Sequence, residues 1–167
     1  MIFNSPERVA ALTPLSQYER FADGRPRVPD EILERMRLVT NDEAWGVVER
    51  GRGYHFQFEG DWVNLHPDRV LVGRAVTVRM VPLRHDLQAV VEREGAADGR
   101  SGGQNTWVID TLLPGDVLVV DLFGKIEDGT FIGDNLGTAI AARAGTGLVV
   151  DAGIRDLERV SQLPNFT

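Results

Sequence analysis

Apolar residues alternate with polar ones in the middle of the chain and form unbroken runs in its second half. Residues 69–81 alternate with a period of two in a β-branched context, which predicts a strand, and Gly73 is expected to mark a bend or bulge in it. Residues 117–120 and 147–150 are apolar throughout, as is typical of strands buried in a parallel sheet. The pattern therefore predicts strands in these three segments.

Between and before these strands, apolar residues recur at spacings of three and four, which predicts helices. The helices are expected at 29–39, 40–51, 87–91, 105–112, 135–144 and 155–163. Asp42 is the expected cap of the second helix, and Gly145 is expected to end the fifth. In the last helix, Leu157 and Val160 are expected to face inward.

Other stretches lack a regular pattern. The arm at 1–28 contains three prolines and is expected to hold at most one short helix, around 14–21. Loops are expected at 54–68, with at most a short strand at Tyr54, Phe56 and Phe58, at the glycine-rich segment 94–103, and at 121–133, with a short strand at 130–132.

Strands that alternate with helices predict an α/β domain. At 167 residues the chain suffices for one domain with a sizeable core and is too short for two ordinary ones. A helix between successive strands implies parallel pairing and right-handed crossovers. We therefore expect an α/β fold, or a mixed α+β sheet, at 29–167, preceded by the arm at 1–28.

The composition excludes several classes of site. The chain has no cysteine, so it has no disulfide, thiolate metal site, iron–sulfur cluster or cysteine nucleophile. With 18 basic and 25 acidic residues the net charge is −7, which argues against nucleic acid as a partner. Residues 1–12 lack the pattern of a signal peptide and the sequence has no run of about 18 apolar residues. Neither a signal peptide nor a membrane segment is therefore expected, and the cytoplasm is the expected location.

Most familiar catalytic motifs are absent. The sequence has no nucleophile elbow, no P-loop, no H-E-x-x-H and no complete dinucleotide fingerprint. His55, His66 and His85 share no metal-ligand spacing and are interpreted as structural or surface residues. Lys125, the only lysine, lies in a charged loop where burial is not expected, which disfavours a Schiff-base mechanism.

One constellation of glycine and charged residues remains. Gly133-Asp134-Asn135-Leu136 lies where a loop enters a helix, and free backbone amides there favour an anion, although Asp134 alone is best explained as an N-cap. Arg155-Asp156 follows the strand at 147–150 and, taken alone, is equally well explained as a surface ion pair. Together, at the carboxyl ends of parallel strands, Arg155 suits a carboxylate and Asp156 suits a hard cation. The combination suits a small 2-oxo acid with a divalent metal.

At these positions the chain resembles the RraA-like proteins, a family that includes 4-hydroxy-4-methyl-2-oxoglutarate aldolases and regulators of ribonuclease E activity. The resemblance runs from about residue 29 to 163. The segments LVGRAVTV at 71–78 and PGDVLVVD at 114–121 resemble those that mark the family fold, and Asp134 followed after 20 residues by Arg155-Asp156 resembles the aldolase branch. The implied fold is a β/β/α, swivelling-domain-like arrangement with a mixed sheet and flanking helices.

The resemblance implies a role for each residue of the constellation. Asp156 would ligate a divalent cation, Mg²⁺ or Mn²⁺, and Asp134 would hold a water on that ion. Arg155 would bind the pyruvyl part of the substrate. The backbone that would bind the substrate carboxylate belongs to Gly133, Asn135 and Leu136.

The implied activity is that of a metal-dependent, class II type pyruvate aldolase that acts on 4-hydroxy-2-oxo acids, with oxaloacetate decarboxylase activity by the same chemistry. A homotrimer or hexamer is implied as well. The alternatives are a non-catalytic regulator of ribonuclease E activity on the same scaffold and a catalytically inert fragment. Family members continue beyond the part that matches 163–167, so the resemblance also implies further strands and a further acidic site residue beyond Thr167.

Overall fold

A three-stranded parallel sheet organises the protein, in a computed structural model that describes residues 4–57 and 59–167. Its strands, in spatial order, are β1 (Arg74–Arg79), β2 (Asp116–Thr130) and β3 (Leu148–Gly153). Val76 pairs with Leu118, and Leu118 pairs with Leu148, in parallel ladders. The predicted α/β class and parallel pairing are confirmed, whereas the described strands do not form the mixed sheet that the resemblance implies.

The described residues also form helices before, between and after the strands. These are α1 (Pro6–Ala11), α2 (Asp30–Met36), α3 (Asn41–Arg52), α4 (His85–Ala97), α5 (Gln104–Ile109), α6 (Asp134–Ala144) and α7 (Leu157–Val160). α6 connects β2 to β3 and packs against α5 and α7. Among the described helices, none combines the length and the apolar character that crossing a membrane requires.

Local capping explains where two of these helices begin or end. The Thr40 hydroxyl accepts a hydrogen bond from the Glu43 N–H at 3.2 Å, and the Glu43 carboxylate accepts one from the Thr40 N–H at 2.9 Å. The prediction that Asp42 caps α3 is therefore wrong, since Asp42 lies in the first turn. Gly53 and Gly145 end α3 and α6 with φ values of 72° and 66°, which glycine adopts without strain.

The core lies on one face of the sheet. Alternate residues of the strands pack there against α5, α6 and the segment that follows β2. The largest fully buried side chains are Phe166, Ile109, Leu118, Ile132, Ile140, Val160 and Asp116. Burial stabilises the fold by about 1.5–3 kcal/mol for each large apolar side chain, so the core holds β2 and α6 firmly in place.

Two predicted features of the sheet are wrong. The strand predicted at 69–81 begins at Arg74, and Gly73 marks a close approach rather than a bulge, because a Cβ there would lie 2.6 Å from Val117 Cγ2. The loop predicted at 121–133 is strand as far as Thr130, since β2 continues beside β3 through two register shifts. Polar, exposed side chains along that part of β2 conceal the strand in the sequence.

The N-terminal half differs from the prediction at two places. α1 begins after Ser5, whose hydroxyl accepts a hydrogen bond from the Arg8 N–H at 3.2 Å, and residues 14–21 contain no helix. Within 54–68 the described residues form no strand, and Phe58 lies outside the described residues.

Two later helices also depart from their predicted bounds. α4 runs into the predicted loop at 94–103, because Gly95 lets the helix lie against the Trp107 ring, whose Cη2 is 2.2 Å from where a Cβ would be. α7 is a single turn. Val160 is buried as predicted, whereas Leu157, which was also predicted to face inward, is exposed. The other helices lie where the sequence predicts them, with small differences at their ends.

A buried ion pair joins the N-terminal arm to the start of β2. Asp116 is fully buried, and each of its carboxylate oxygens accepts a hydrogen bond of 3.0 Å from Arg25. The Leu113 N–H donates to the same carboxylate at 2.8 Å, and Asp23 accepts from Arg25 Nε at 2.6 Å. Burial by itself lowers the pKa of Arg25, but the hydrogen bonds to Asp116 and Asp23 outweigh it and raise that pKa above its ordinary value.

Replacing Arg25 by methionine is expected to destabilise the protein by roughly 3–5 kcal/mol, because Asp116 would keep a buried charge without a partner. Urea denaturation of the whole chain measures this loss. Arg84→Met is the matched control, since Arg84 and Asp86 form an exposed ion pair whose loss costs less than about 1 kcal/mol. Equal losses in the two variants would contradict the role assigned to Arg25.

Candidate functional site

The candidate site lies at the carboxyl ends of β2 and β3. β2 is followed by Gly133 and α6, and β3 is followed by Arg155-Asp156 and α7. Because the strands are parallel, the segments that follow them emerge at the same edge of the sheet. The Arg155 N–H donates to the Ile132 carbonyl oxygen at 3.2 Å and holds the two segments together. The two clusters singled out in the sequence therefore meet.

Gly133 lies directly beneath the side chains of Arg155 and Asp156. A Cβ on Gly133 would lie 2.3 Å from Asp156 Oδ2 and 3.1 Å from Arg155 Nε. The φ of Gly133 is −124°, which any residue can adopt, so the backbone conformation does not require glycine. The site requires it because the two side chains occupy the space over its Cα.

Three hydrogen bonds link Asp134, Asp156 and Arg159 into a closed ring. The Asp134 N–H donates to Asp156 Oδ2 at 3.3 Å, and the Arg159 N–H donates to the Asp156 carbonyl oxygen at 2.9 Å. Arg159 Nη1 then donates to Asp134 Oδ2 at 2.9 Å. Asp134 Oδ1 accepts a further hydrogen bond, from the Asn135 N–H at 2.8 Å. Both oxygens of Asp134 are engaged, whereas among the described residues the Asp156 carboxylate accepts a hydrogen bond only from the Asp134 N–H, at 3.3 Å.

Asp156 has a left-handed backbone conformation, with φ of 59°. Aspartate and asparagine adopt this conformation more readily than other residues that carry a Cβ. Asp156 immediately precedes α7, yet its side chain does not cap that helix. Its carboxylate lies over Gly133 instead.

The structure also decides between the simple explanations of the two clusters. Gly133 is the N-cap of α6 and Asp134 is the first helical residue, so the interpretation of Asp134 as the N-cap is wrong. Arg155 Nε lies 3.8 Å from Asp156 Oδ2, too far for a hydrogen bond, and the Arg155 side chain is 75% exposed. A surface ion pair of this length adds little stability. The Arg155 guanidinium is open to solvent.

Hydrogen bonding sets the charge of the central carboxylate. The hydrogen bond from Arg159 is the main cause that holds the pKa of Asp134 below its ordinary value, and the Asn135 N–H contributes as well. The same contact raises the pKa of Arg159. Asp134 is therefore an anion, and Arg159 a cation, at neutral pH.

The carboxylates suit a hard divalent cation. Within residues 4–57 and 59–167, no group of three or more His, Cys, Asp or Glu side chains is arranged to hold a metal ion, which excludes a protein-only cage there. Mg²⁺ typically takes one or two carboxylates and completes its shell with water and substrate oxygens. Asp156, 42% exposed and with one hydrogen bond, fits as such a ligand.

The backbone amides at the start of α6 are not equivalent. The resemblance implies that both Asn135 and Leu136 bind a substrate carboxylate, but the Asn135 N–H already donates to Asp134 Oδ1. The Leu136 N–H lies in the first turn, where amides have no partner within the helix, while the Leu136 side chain packs against the core. Leu136 therefore has the amide better suited to a ligand.

The histidines and the lysine lie outside this arrangement. His66 is buried and its Nε2 has no hydrogen-bond partner, His55 lies beside Glu49, and His85 is the first residue of α4. Lys125 is exposed on β2. In the described part of the chain, none of their side chains is hydrogen-bonded to residues of the candidate site.

A cavity of about 870 Å³ lies elsewhere, beside β1, α1 and α4. Its lining is largely apolar, and its arginines are each paired with a carboxylate. They are Arg25, Arg74, Arg79 and Arg84. None of the candidate residues lines this cavity. The candidate site is instead an open edge of the sheet, where the Arg155 side chain is 75% and the Asp156 side chain 42% exposed.

Sequence reasoning missed Arg159. The sequence predicted one regular helix at 155–163 and assigned no role to Arg159. In the structure, the left-handed turn at Asp156 makes α7 begin only at Leu157, and Arg159 then reaches Asp134. No local spacing in the sequence signals this contact, because Arg159 hydrogen-bonds to an aspartate 25 residues earlier in the chain.

Comparisons with known proteins identify the fold and the family of this chain. RraAS2 of Streptomyces coelicolor, described as an unusual member of the RNase ES inhibitor RraA protein family, is similar in structure with a TM-score of 0.58. At 24% sequence identity over 87% of this chain, the similarity establishes the fold alone, and this chain spans 61% of that protein. The family model RraA-like, described as Aldolase/RraA, matches residues 47–166. The chain therefore belongs to the RraA-like family.

Proposed function

We propose that the protein is a divalent-metal-dependent carbon–carbon lyase that cleaves 4-hydroxy-2-oxo acids to pyruvate and a second oxo acid. 4-Hydroxy-4-methyl-2-oxoglutarate and 4-carboxy-4-hydroxy-2-oxoadipate are substrates of this class, and oxaloacetate decarboxylation would follow the same chemistry. The observation that carries the proposal is that Arg155 and Asp156 lie over Gly133, next to Asp134. The family, which includes aldolases, supports it.

Each residue has a chemical task in this proposal. Asp156 would hold Mg²⁺ or Mn²⁺, which supplies Lewis acidity to the 2-keto oxygen and C1 carboxylate of the substrate. Arg155, with its exposed guanidinium, binds the pyruvyl part and stabilises the negative charge that develops on the C2 oxygen. The Leu136 N–H, at the positive end of the α6 dipole, binds the C1 carboxylate.

Asp134 acts in the proton transfer. As an anion it would hold a water that accepts the proton of the 4-hydroxyl group and passes a proton on to the Asp134 carboxylate. The C3–C4 bond then breaks, the C4 oxygen becomes a carbonyl, and the electron pair of the bond passes to C3 as the enolate of pyruvate. Return of the proton from Asp134 through the same water to C3 yields pyruvate. In oxaloacetate the electron pair comes from the bond to the departing carbon dioxide.

A homotrimer or hexamer, which the family resemblance implies, belongs to the same proposal. The candidate site is an open edge with an arginine that is mostly exposed. A neighbouring subunit would cover it and add groups that contact the far end of the substrate.

The second candidate is a regulator that binds a ribonuclease and performs no chemistry. The structural similarity to RraAS2, a member of an RNase ES inhibitor family, favours it. Such a regulator gives no reason for the close approach of Asp156 and Arg155 to Gly133, so we favour the lyase.

Metal-dependent pyruvate release is the direct test. With oxaloacetate or a 4-hydroxy-2-oxo acid and Mg²⁺ or Mn²⁺, lactate dehydrogenase coupling is expected to detect pyruvate, and EDTA is expected to abolish it. Asp156→Asn preserves the left-handed turn but weakens metal ligation, so kcat/KM should fall by at least about 100-fold. Asp61→Asn, at an exposed aspartate with φ of 60°, is the matched control and should keep full activity.

No pyruvate from the wild-type protein with any of these metals would refute the lyase and leave the regulator. Inhibition of a ribonuclease E-type enzyme by the wild type and by Asp156→Asn alike would then support that second candidate.

Gly133→Ala is expected to lower activity strongly while the protein stays folded. The new Cβ would displace the flexible ends of Asp156 and Arg155, whereas the backbone at φ of −124° accepts alanine. Pyruvate release should fall by at least about tenfold with a change in unfolding free energy below about 1 kcal/mol.

Gly46→Ala in α3 is the matched control, because its Cβ would meet no atom within 4 Å. Activity in Gly133→Ala equal to that of Gly46→Ala would contradict the position assigned to Asp156.

A further inference from the structure

We propose that Arg159 is a positioning residue that keeps Asp134 as the holder of a water and prevents it from becoming a second direct metal ligand. This inference rests on the proposed function and assigns a role to a residue outside the sequence pattern. It explains how two neighbouring aspartates can perform different tasks.

The hydrogen bonds distinguish the two carboxylates. Arg159 Nη1 donates a hydrogen bond to Asp134 Oδ2, and the Asn135 N–H donates one to Asp134 Oδ1. Asp156 accepts one hydrogen bond, of 3.3 Å, from a backbone N–H. A cation that arrives at this edge therefore meets one carboxylate with free lone pairs and one that is already neutralised by an arginine.

The arginine is held where it can act on Asp134. Its own backbone N–H donates to the Asp156 carbonyl oxygen at 2.9 Å, so the left-handed turn that orients Asp156 also fixes the start of the Arg159 side chain. The side chain then crosses from the segment after β3 to the segment after β2. The Arg159 side chain itself is 78% exposed, so its replacement removes no side chain from the core.

Loss of the guanidinium would have two opposite consequences. Asp134 Oδ2 would become free to ligate the cation directly, and one positive charge near the cation would disappear, so metal binding would become tighter. The water needed to take the substrate proton would lose its carboxylate, so turnover would fall. A variant that is merely destabilised would weaken both properties together.

The test measures Mn²⁺ affinity by titration calorimetry, and kcat by pyruvate release, on the whole chain. Arg159→Gln is expected to bind Mn²⁺ roughly three- to fivefold more tightly, as removal of one nearby exposed charge predicts, and to lose about 10- to 100-fold in kcat. Arg159→Lys keeps the charge and should keep the wild-type Mn²⁺ affinity.

Arg143→Gln is the matched control. Arg143 pairs with Asp110 at 2.6 Å, is also exposed and lies at the other end of α6, so this variant loses the same net charge and an ion pair without touching the site. Its Mn²⁺ affinity and kcat should equal those of the wild type.

The outcomes separate this inference from the proposed function. If the wild type binds Mn²⁺ and releases pyruvate, but Arg159→Gln has unchanged or weaker Mn²⁺ affinity, the positioning role is refuted and the lyase stands. If Arg143→Gln tightens Mn²⁺ binding as much as Arg159→Gln does, the effect is one of net charge and the positioning role is again refuted. If the wild type neither binds Mn²⁺ nor releases pyruvate, both proposals fail.

Discussion

The parallel pairing of β2 with β3 is the constraint on which the candidate site depends. Parallel strands end at the same edge of a sheet, so the segments that leave the two strands must lie beside each other. Here those segments are Gly133-Asp134 and Arg155-Asp156. The hydrogen bond from the Arg155 N–H to the Ile132 carbonyl oxygen holds them side by side, together with those that join Asp134 to Asp156 and Arg159. An antiparallel arrangement would have placed them at opposite ends of the sheet.

Much of this architecture can be predicted from the sequence, because the relevant signals are local. Apolar runs mark β2 and β3, a small-residue helix between them implies the crossover, and Gly145 ends that helix. The meeting of Asp134 with Asp156 follows from these elements alone. The extension of β2 to Thr130 could not be predicted in this way, since backbone hydrogen bonds form it and its side chains are mostly exposed.

Other features depend on contacts that a local pattern does not encode. Arg25 and Asp116 are 91 residues apart, and only the folded chain reveals that the arm supplies the arginine that pairs with the carboxylate buried at the start of β2. The sequence does not show why Gly133 and Gly95 are glycines. In the structure, Gly133 leaves room for two charged side chains and Gly95 leaves room for the ring of Trp107. Arg159 joins the site because Asp156 has a left-handed backbone conformation, which side-chain spacing does not predict.

The left-handed turn at Asp156 also bears on how such a scaffold changes its role during evolution. The residues best tolerated at a φ near 59° are glycine, asparagine and aspartate, and aspartate codons are one nucleotide away from codons of the other two. A single mutation can therefore remove the carboxylate without straining the backbone or disturbing the core. In a lineage with this turn, one substitution that leaves the folding stability unchanged would separate a metal-dependent enzyme from a non-catalytic binding protein.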